Sequence, residues 1–118
     1  MAKRVSKSAA SGMWGEVEIT DANIQHNHFY MRGFIHRFPS DLIGGPNRSL
    51  AAPKSAFVDW GGALPVETDI DGEKEFFRAR GWVRQFFTAN GAAAGDIVRV
   101  EETAPYRYRV SLRKRGHP

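Results

Sequence analysis

The pattern that most constrains this chain lies near its C-terminus, where Tyr106, Tyr108, Val110 and Leu112 alternate with Arg107, Arg109, Ser111 and Arg113. Successive side chains of an extended chain point to opposite faces, so a period of two predicts a strand with one face on a core and one in water. The preceding "GDIVRVEE" begins at a Gly95-Asp96 turn and puts Val98 and Val100 on one face, and "EETAP" reads as the loop of a terminal hairpin. From Trp14, "GEVEIT" repeats the pattern, with Val17 and Ile19 inward and Glu16 and Glu18 outward. In "HFYMRG", Phe29 and Met31 oppose His28, Tyr30 and Arg32. With the Asn- and His-rich "TDANIQHNH" as a connecting loop, residues 14 to 32 are expected to form a second hairpin. "AFVDWGG" and "LPVETDID" add short strands, the latter with Val66, Thr68 and Ile70 inward and Glu67, Asp69 and Asp71 forming a solvated acidic face.

One segment has a different period. In "RGWVRQFFTANG", Trp82 and Phe86, and Val83 and Phe87, lie four apart and make an apolar stripe, with Arg80, Arg84 and Thr88 off it. Asn90-Gly91 is a helix stop. "GFIHRFPSDLIGG" has apolar residues near helical spacing but contains Pro39 and ends at Gly44-Gly45, which predicts a short helix or a turn of one. "GGPNRSLAAPKS" is a long loop of the kind that often carries function. Six or seven short strands with one regular and one irregular helix predict a mainly β domain, a small barrel or sandwich decorated by helices.

A chain of 118 residues suits one domain, with 13–114 as its body, 1–12 as a disordered basic tail and 115–118 as a disordered end. It has no cysteine, which excludes disulfides and thiolate zinc sites. Its apolar runs are far shorter than the roughly 20 residues that span a bilayer, and the basic start has no apolar stretch, so no membrane role and a cytoplasmic location are expected. Charge is segregated. Lys3, Arg4 and Lys7 lie at one end and Arg107, Arg109, Arg113, Lys114 and Arg115 at the other, whereas residues 67–75 carry a local charge of −4. Outside that run the chain carries +8, which suits a polyanion.

His26 and His28 share a face of an extended segment and, with an acid, would suit a small metal-dependent hydrolase, although a third ligand at a familiar spacing is missing. The adjacent letters His26-Asn27-His28 are not the nuclease motif of that spelling, whose residues come from separated parts of its unit. Restriction-type nucleases need a lysine two positions after a strand carboxylate, but the residue two before Lys74 is Gly72. No phosphate loop or nucleophile elbow occurs. No cofactor, bound metal or catalytic residue is therefore expected. Gln25, His26, Asn27, His28, Tyr30 and Arg32 together offer the groups that hydrogen-bond base edges and phosphates.

"VETDID", then "RGWVRQFFTANGAAAGDIVRVEE", then "YRYRVSL" resembles the plant B-three DNA-binding domain and the recognition domains of some bacterial restriction endonucleases. The residues that carry the resemblance are Gly81, Trp82, Phe86, Phe87, Asn90, Gly95, Asp96, Val98 and Val100, with a looser match over "ITDANIQHNHFYM" and "RGFIHRFPSDLIGG". The resemblance implies an open seven-stranded pseudobarrel with two short α-helices that grips the major groove of double-stranded DNA with two arms. An N-terminal arm would hold Gln25, His26, Asn27, His28, Tyr30 and Arg32, and a C-terminal arm Lys74, Arg78 and Arg80. A separate nuclease or methyltransferase would be the partner. Neutralising about five phosphates implies a salt slope near −4.5. The acids beside the second arm depart from the family pattern and suggest, as the alternative, a protein-interaction module of the same fold.

Overall fold

The computed structural model describes residues 14–116, so the predicted tail at 1–12 lies outside the described residues, as do 13, 117 and 118. In chain order the elements are β1 (Gly15–Glu18), α1 (Asp21–His26), β2 (Ile43–Gly44), β3 (Ala56–Asp59), β4 (Val66–Thr68), β5 (Ile70–Asp71), β6 (Phe76–Phe77), α2 (Gly81–Ala89), β7 (Ile97–Ala104) and β8 (Arg107–Arg113). Among the described residues eight short strands form two sheets, and with two helices the fold is mainly β. The larger sheet runs β1-β7-β8-β3-β4, with β3 parallel to β8 and every other pair antiparallel. The smaller runs β2-β5-β6. Both are open.

The terminal hairpin has the expected faces at Tyr108 and Val110, but "EETAP" is not its loop: residues 101–104 belong to β7, and only Pro105 and Tyr106, the latter at φ 62°, make the turn. Val98 pairs with Leu112 and Val100 with Val110, and Val98, Val100, Tyr108 and Val110 are all buried. β1 pairs antiparallel with β7 in the register Val17 to Val98, leaving Glu16 and Glu18 exposed. α2 carries the apolar stripe predicted for it: Trp82, Val83, Phe86 and Phe87 are buried in the hydrophobic core. "GFIHRFPSDLIGG" becomes two 3-10 turns, Ile35–Arg37 and Ser40–Leu42, on either side of Pro39. Both lack room for a full helix because a proline interrupts the backbone bonding.

Two further expectations are overturned. Residues 14 to 32 are not a hairpin: "DANIQH" is helix α1, residues 28–31 join no ladder, and Arg32 lies in a turn closed by the Phe34 N–H on the Met31 carbonyl at 3.0 Å. A capping box makes the helix. Thr20 Oγ1 accepts from the Asn23 N–H at 3.2 Å while Asn23 Oδ1 accepts from the Thr20 N–H at 3.0 Å. The second correction concerns the acids. Residues 66–71 do not form one strand, because the chain leaves the larger sheet after Thr68 and enters the smaller at Ile70. The alternation breaks there, and Thr68, Asp69, Ile70 and Asp71 are all buried, so only Glu67 of the three predicted outward acids is exposed.

Asp69 is buried at this joint because every oxygen is answered. Arg78 donates from Nε to Oδ1 at 2.6 Å and from Nη2 to Oδ2 at 3.0 Å, and the Ala52 N–H donates to Oδ2 at 2.7 Å. Arg78 Nη2 also reaches the Gly45 carbonyl at 2.8 Å. Burial alone would raise the Asp69 carboxyl, but the Arg78 and Ala52 bonds hold it below the usual carboxylate range. Close packing is required as well: a Cβ at Gly44 would lie 2.8 Å from this carboxylate. Arg78→Ala would strand the buried carboxylate and should lower stability by about 3–5 kcal/mol, read from urea unfolding midpoints.

A second carboxylate fastens the C-terminal end. Asp96 accepts from Lys114 Nζ at 2.7 Å and from the N–H groups of Arg115 and Ala93 at 2.8 and 2.9 Å. The Lys114 bond, then the Arg115 N–H, bring the Asp96 carboxyl down to about 2 from 3.8. Because the folded value is the lower, this stabilisation is complete above pH 3.8 and lost as pH falls toward about 2. Asp96→Asn should therefore flatten the loss of stability over that window, measured by thermal unfolding at stepped pH.

Candidate functional site

α1 ends where Asn27 turns left-handed, at φ 56° and ψ 51°, and the His28 N–H closes back on the Asn23 carbonyl at 3.1 Å. This reversal sets the next five residues on a course across the molecule. Phe29 and Met31 go into the core, at 2% and 0% exposure, so His28, Tyr30 and Arg32 must face outward. The Met31 N–H donates to the Glu75 carbonyl at 2.7 Å, which ties this extended segment to the turn between β5 and β6. Asp71 builds that turn: its Oδ1 accepts from the N–H groups of Glu73 and Lys74 at 3.0 and 2.9 Å.

The two segments meet on Phe76. Its ring stacks with His28 at 5.4 Å and with Tyr30 at 5.8 Å, the planes 27° and 24° apart. Guanidinium groups lie at the margins. Arg32 sits over the Tyr30 ring at 4.0 Å and Arg80 over the Phe76 ring at 4.6 Å, both within the range of cation–π attraction. His26 continues the series, 5.9 Å from His28. Between this cluster and the outer residues Glu16 and Glu18 of β1 lies an open groove of about 670 Å³.

His28 is half-buried, and its imidazole is pushed below 6.5 by burial first, then by the positive charge of Arg80 and by His26 and Arg32. It is neutral near pH 7, and Arg80 Nη1 lies 3.5 Å from its Nδ1. The cluster thus places two fixed cations around a ring that gains its proton at a lower pH than a free imidazole.

The predicted residues divide into three groups. His26, His28, Tyr30 and Arg32 are brought together with Arg80. Gln25 and Asn27 line a different open groove, about 500 Å³, between α1 and α2, which they share with Arg84 and Thr88. α1's last turn stands as a ridge between the two grooves. Arg78 joins neither, since its guanidinium is engaged by Asp69 and Gly45, and Lys74 is exposed on the β5–β6 turn. Sequence reasoning missed Phe76, Glu75 and Arg84. Phe76 reads as an ordinary core residue, although its position two before Arg78 and four before Arg80 was a usable signal.

Among the described residues, no group of three or more His, Asp or Glu side chains is placed to hold a metal ion. No described helix is long and apolar enough to cross a membrane. No protein-family model matches the sequence, and neither curated proteins nor solved structures give a significant match.

Arg80→Met keeps cover over Phe76 while removing the charge. The His28 pKa should then rise but stay below 6.5, because burial is the larger cause, as followed by ring-proton NMR titration.

Proposed function

We propose that this chain is a non-catalytic, B-three-like domain that binds double-stranded DNA sequence-specifically through the major groove, and that its sheets and helices are a variant of that family's seven-stranded pseudobarrel. The observation that carries the reading is the meeting of His26, His28, Tyr30 and Arg32 from the expected first arm with Arg80 from the expected second, around Phe76, on one exposed cationic and aromatic surface. Arg32, Arg80 and Lys74 contact phosphates. The last turn of α1 enters the major groove, which is about 12 Å wide and admits a helix. His26 and His28 then face bases on one side of the ridge, and Gln25 and Asn27 on the other. The domain serves as a recognition component in restriction-modification or transcription regulation, beside a separate nuclease or methyltransferase.

The acids that argued for a protein-interaction module lose much of their weight, because Asp69 and Asp71 are turned inward and engaged. With Arg78 committed to Asp69, three of the four named arm cations, Arg32, Lys74 and Arg80, remain for phosphates, and these alone give a salt slope of about −2.7.

The test is selection from a randomised duplex pool at two salt concentrations. A short motif should be enriched by the parent and lost in Asn27→Ala, while Arg32→Ala and Arg80→Ala should each flatten the salt slope by about 0.9. Absence of duplex binding even at low salt would remove the DNA reading.

A further inference from the structure

Most of the guanidinium groups around the α1 ridge are engaged within the protein. Arg32 meets Glu75, Arg78 meets Asp69, and Arg80 lies on Phe76 beside His28. Arg84 differs: among the described residues no hydrogen bond, ion pair or ring contact holds it. It is exposed on α2, whose nine residues include no acid to answer it. Arg80 stands four residues earlier, and like charges at that spacing weaken a helix rather than support it. Helix stability therefore does not account for this cation. Its surroundings are suited to an anion. Arg84 lines the groove of about 500 Å³ with Gln25, Asn27 and Thr88, and no acid is part of that lining.

We infer that the α1–α2 groove is a phosphate site for the second strand of the duplex, with Arg84 as its cation, an inference that rests on the reading above. The start of α2 sends two cations to opposite sides of the α1 ridge, Arg80 to His28 and Phe76, and Arg84 to Gln25 and Asn27. A ridge seated in the major groove has one sugar–phosphate backbone along each side. Arg32 and Arg80 serve the backbone on the His28 side, and Arg84 serves the other, with the Thr88 hydroxyl as a neighbouring donor. Phosphate contacts act on every sequence alike. Their role is to set how the ridge sits in the groove, and base contacts do the discriminating. Four cations in place of three bring the salt slope to about −3.6.

The experiment uses the full chain and a duplex carrying the selected motif, in which single phosphates are replaced by neutral methylphosphonates, one strand at a time. Arg84→Ala should fold as the parent does, since position 84 is exposed and alanine is the better helix former, with the urea midpoint as the check. It should flatten the salt slope by about 0.9. Methylphosphonates on either strand should weaken the parent. Arg84→Ala should become indifferent to a replacement on one strand, and Arg80→Ala to a replacement on the other. An unchanged slope in Arg84→Ala, where Arg80→Ala flattens it, would overturn the inference and leave the DNA reading standing. Two further results would do the same: both variants indifferent on the same strand, or a flatter slope in Arg84→Ala with every replacement still felt, because Arg84 would then act only through net charge. A parent that binds no duplex removes the DNA reading and this inference with it.

Discussion

The bidentate contact between Asp69 and Arg78 is the constraint on which the rest of this molecule depends. It sits where the chain crosses from the five-stranded sheet to the three-stranded one, and it joins the residue entering β5 to the residue leaving β6. Its reach extends further through neighbouring polar groups. Thr68 Oγ1 accepts from the Ala79 N–H at 2.9 Å, and the Ala79 carbonyl accepts from Trp82 Nε1 at 2.7 Å, so the same joint sets the start of α2. A buried pair is weak evidence for stability in general. Here its consequence is geometric: it holds the chain on either side of Phe76 and leads Arg80 out to the surface.

The cationic surface owes its form to aromatic packing rather than to a ladder of backbone bonds. Guanidinium groups are flexible on a bare surface, and ordering such side chains on binding costs about 0.5–1.5 kcal/mol each. Resting Arg32 on Tyr30 and Arg80 on Phe76 removes part of that cost before any ligand arrives. Neutral His28 between them avoids a third fixed charge, which would push the two guanidiniums apart.

How much of this was legible in the sequence depended on whether one period governed a whole element. The terminal hairpin and α2 were readable because their apolar residues repeat over many positions without interruption. α1 was not, since it has six residues and Asn23 as its one buried side chain; the signal was the pairing of Thr20 with Asn23, a less familiar form of the capping box. The acidic run misled because alternation was extended across residues 66–71, although a strand that changes sheet at Asp69 has no continuous faces. Arg78, placed in the sequence as a cation for DNA, was its counter-charge. The outward set His28, Tyr30 and Arg32 was legible even without a strand, because Phe29 and Met31 are drawn into the core and burial alternates over 28–32 although no ladder forms. The joining of that set to Phe76 and Arg80 was beyond any local pattern.

That joining has a consequence for how the surface comes into being. His28 and Arg80 are 52 residues apart, and the extended segment carrying His28 is fastened to its opposite number by the Met31–Glu75 bond and ring stacking. A partly synthesised chain that ends before Phe76 would already hold four of the cluster's side chains and yet present no assembled surface. The assembled surface is thus a product of long-range closure, present only with the finished topology, and a nascent or locally opened molecule lacks it.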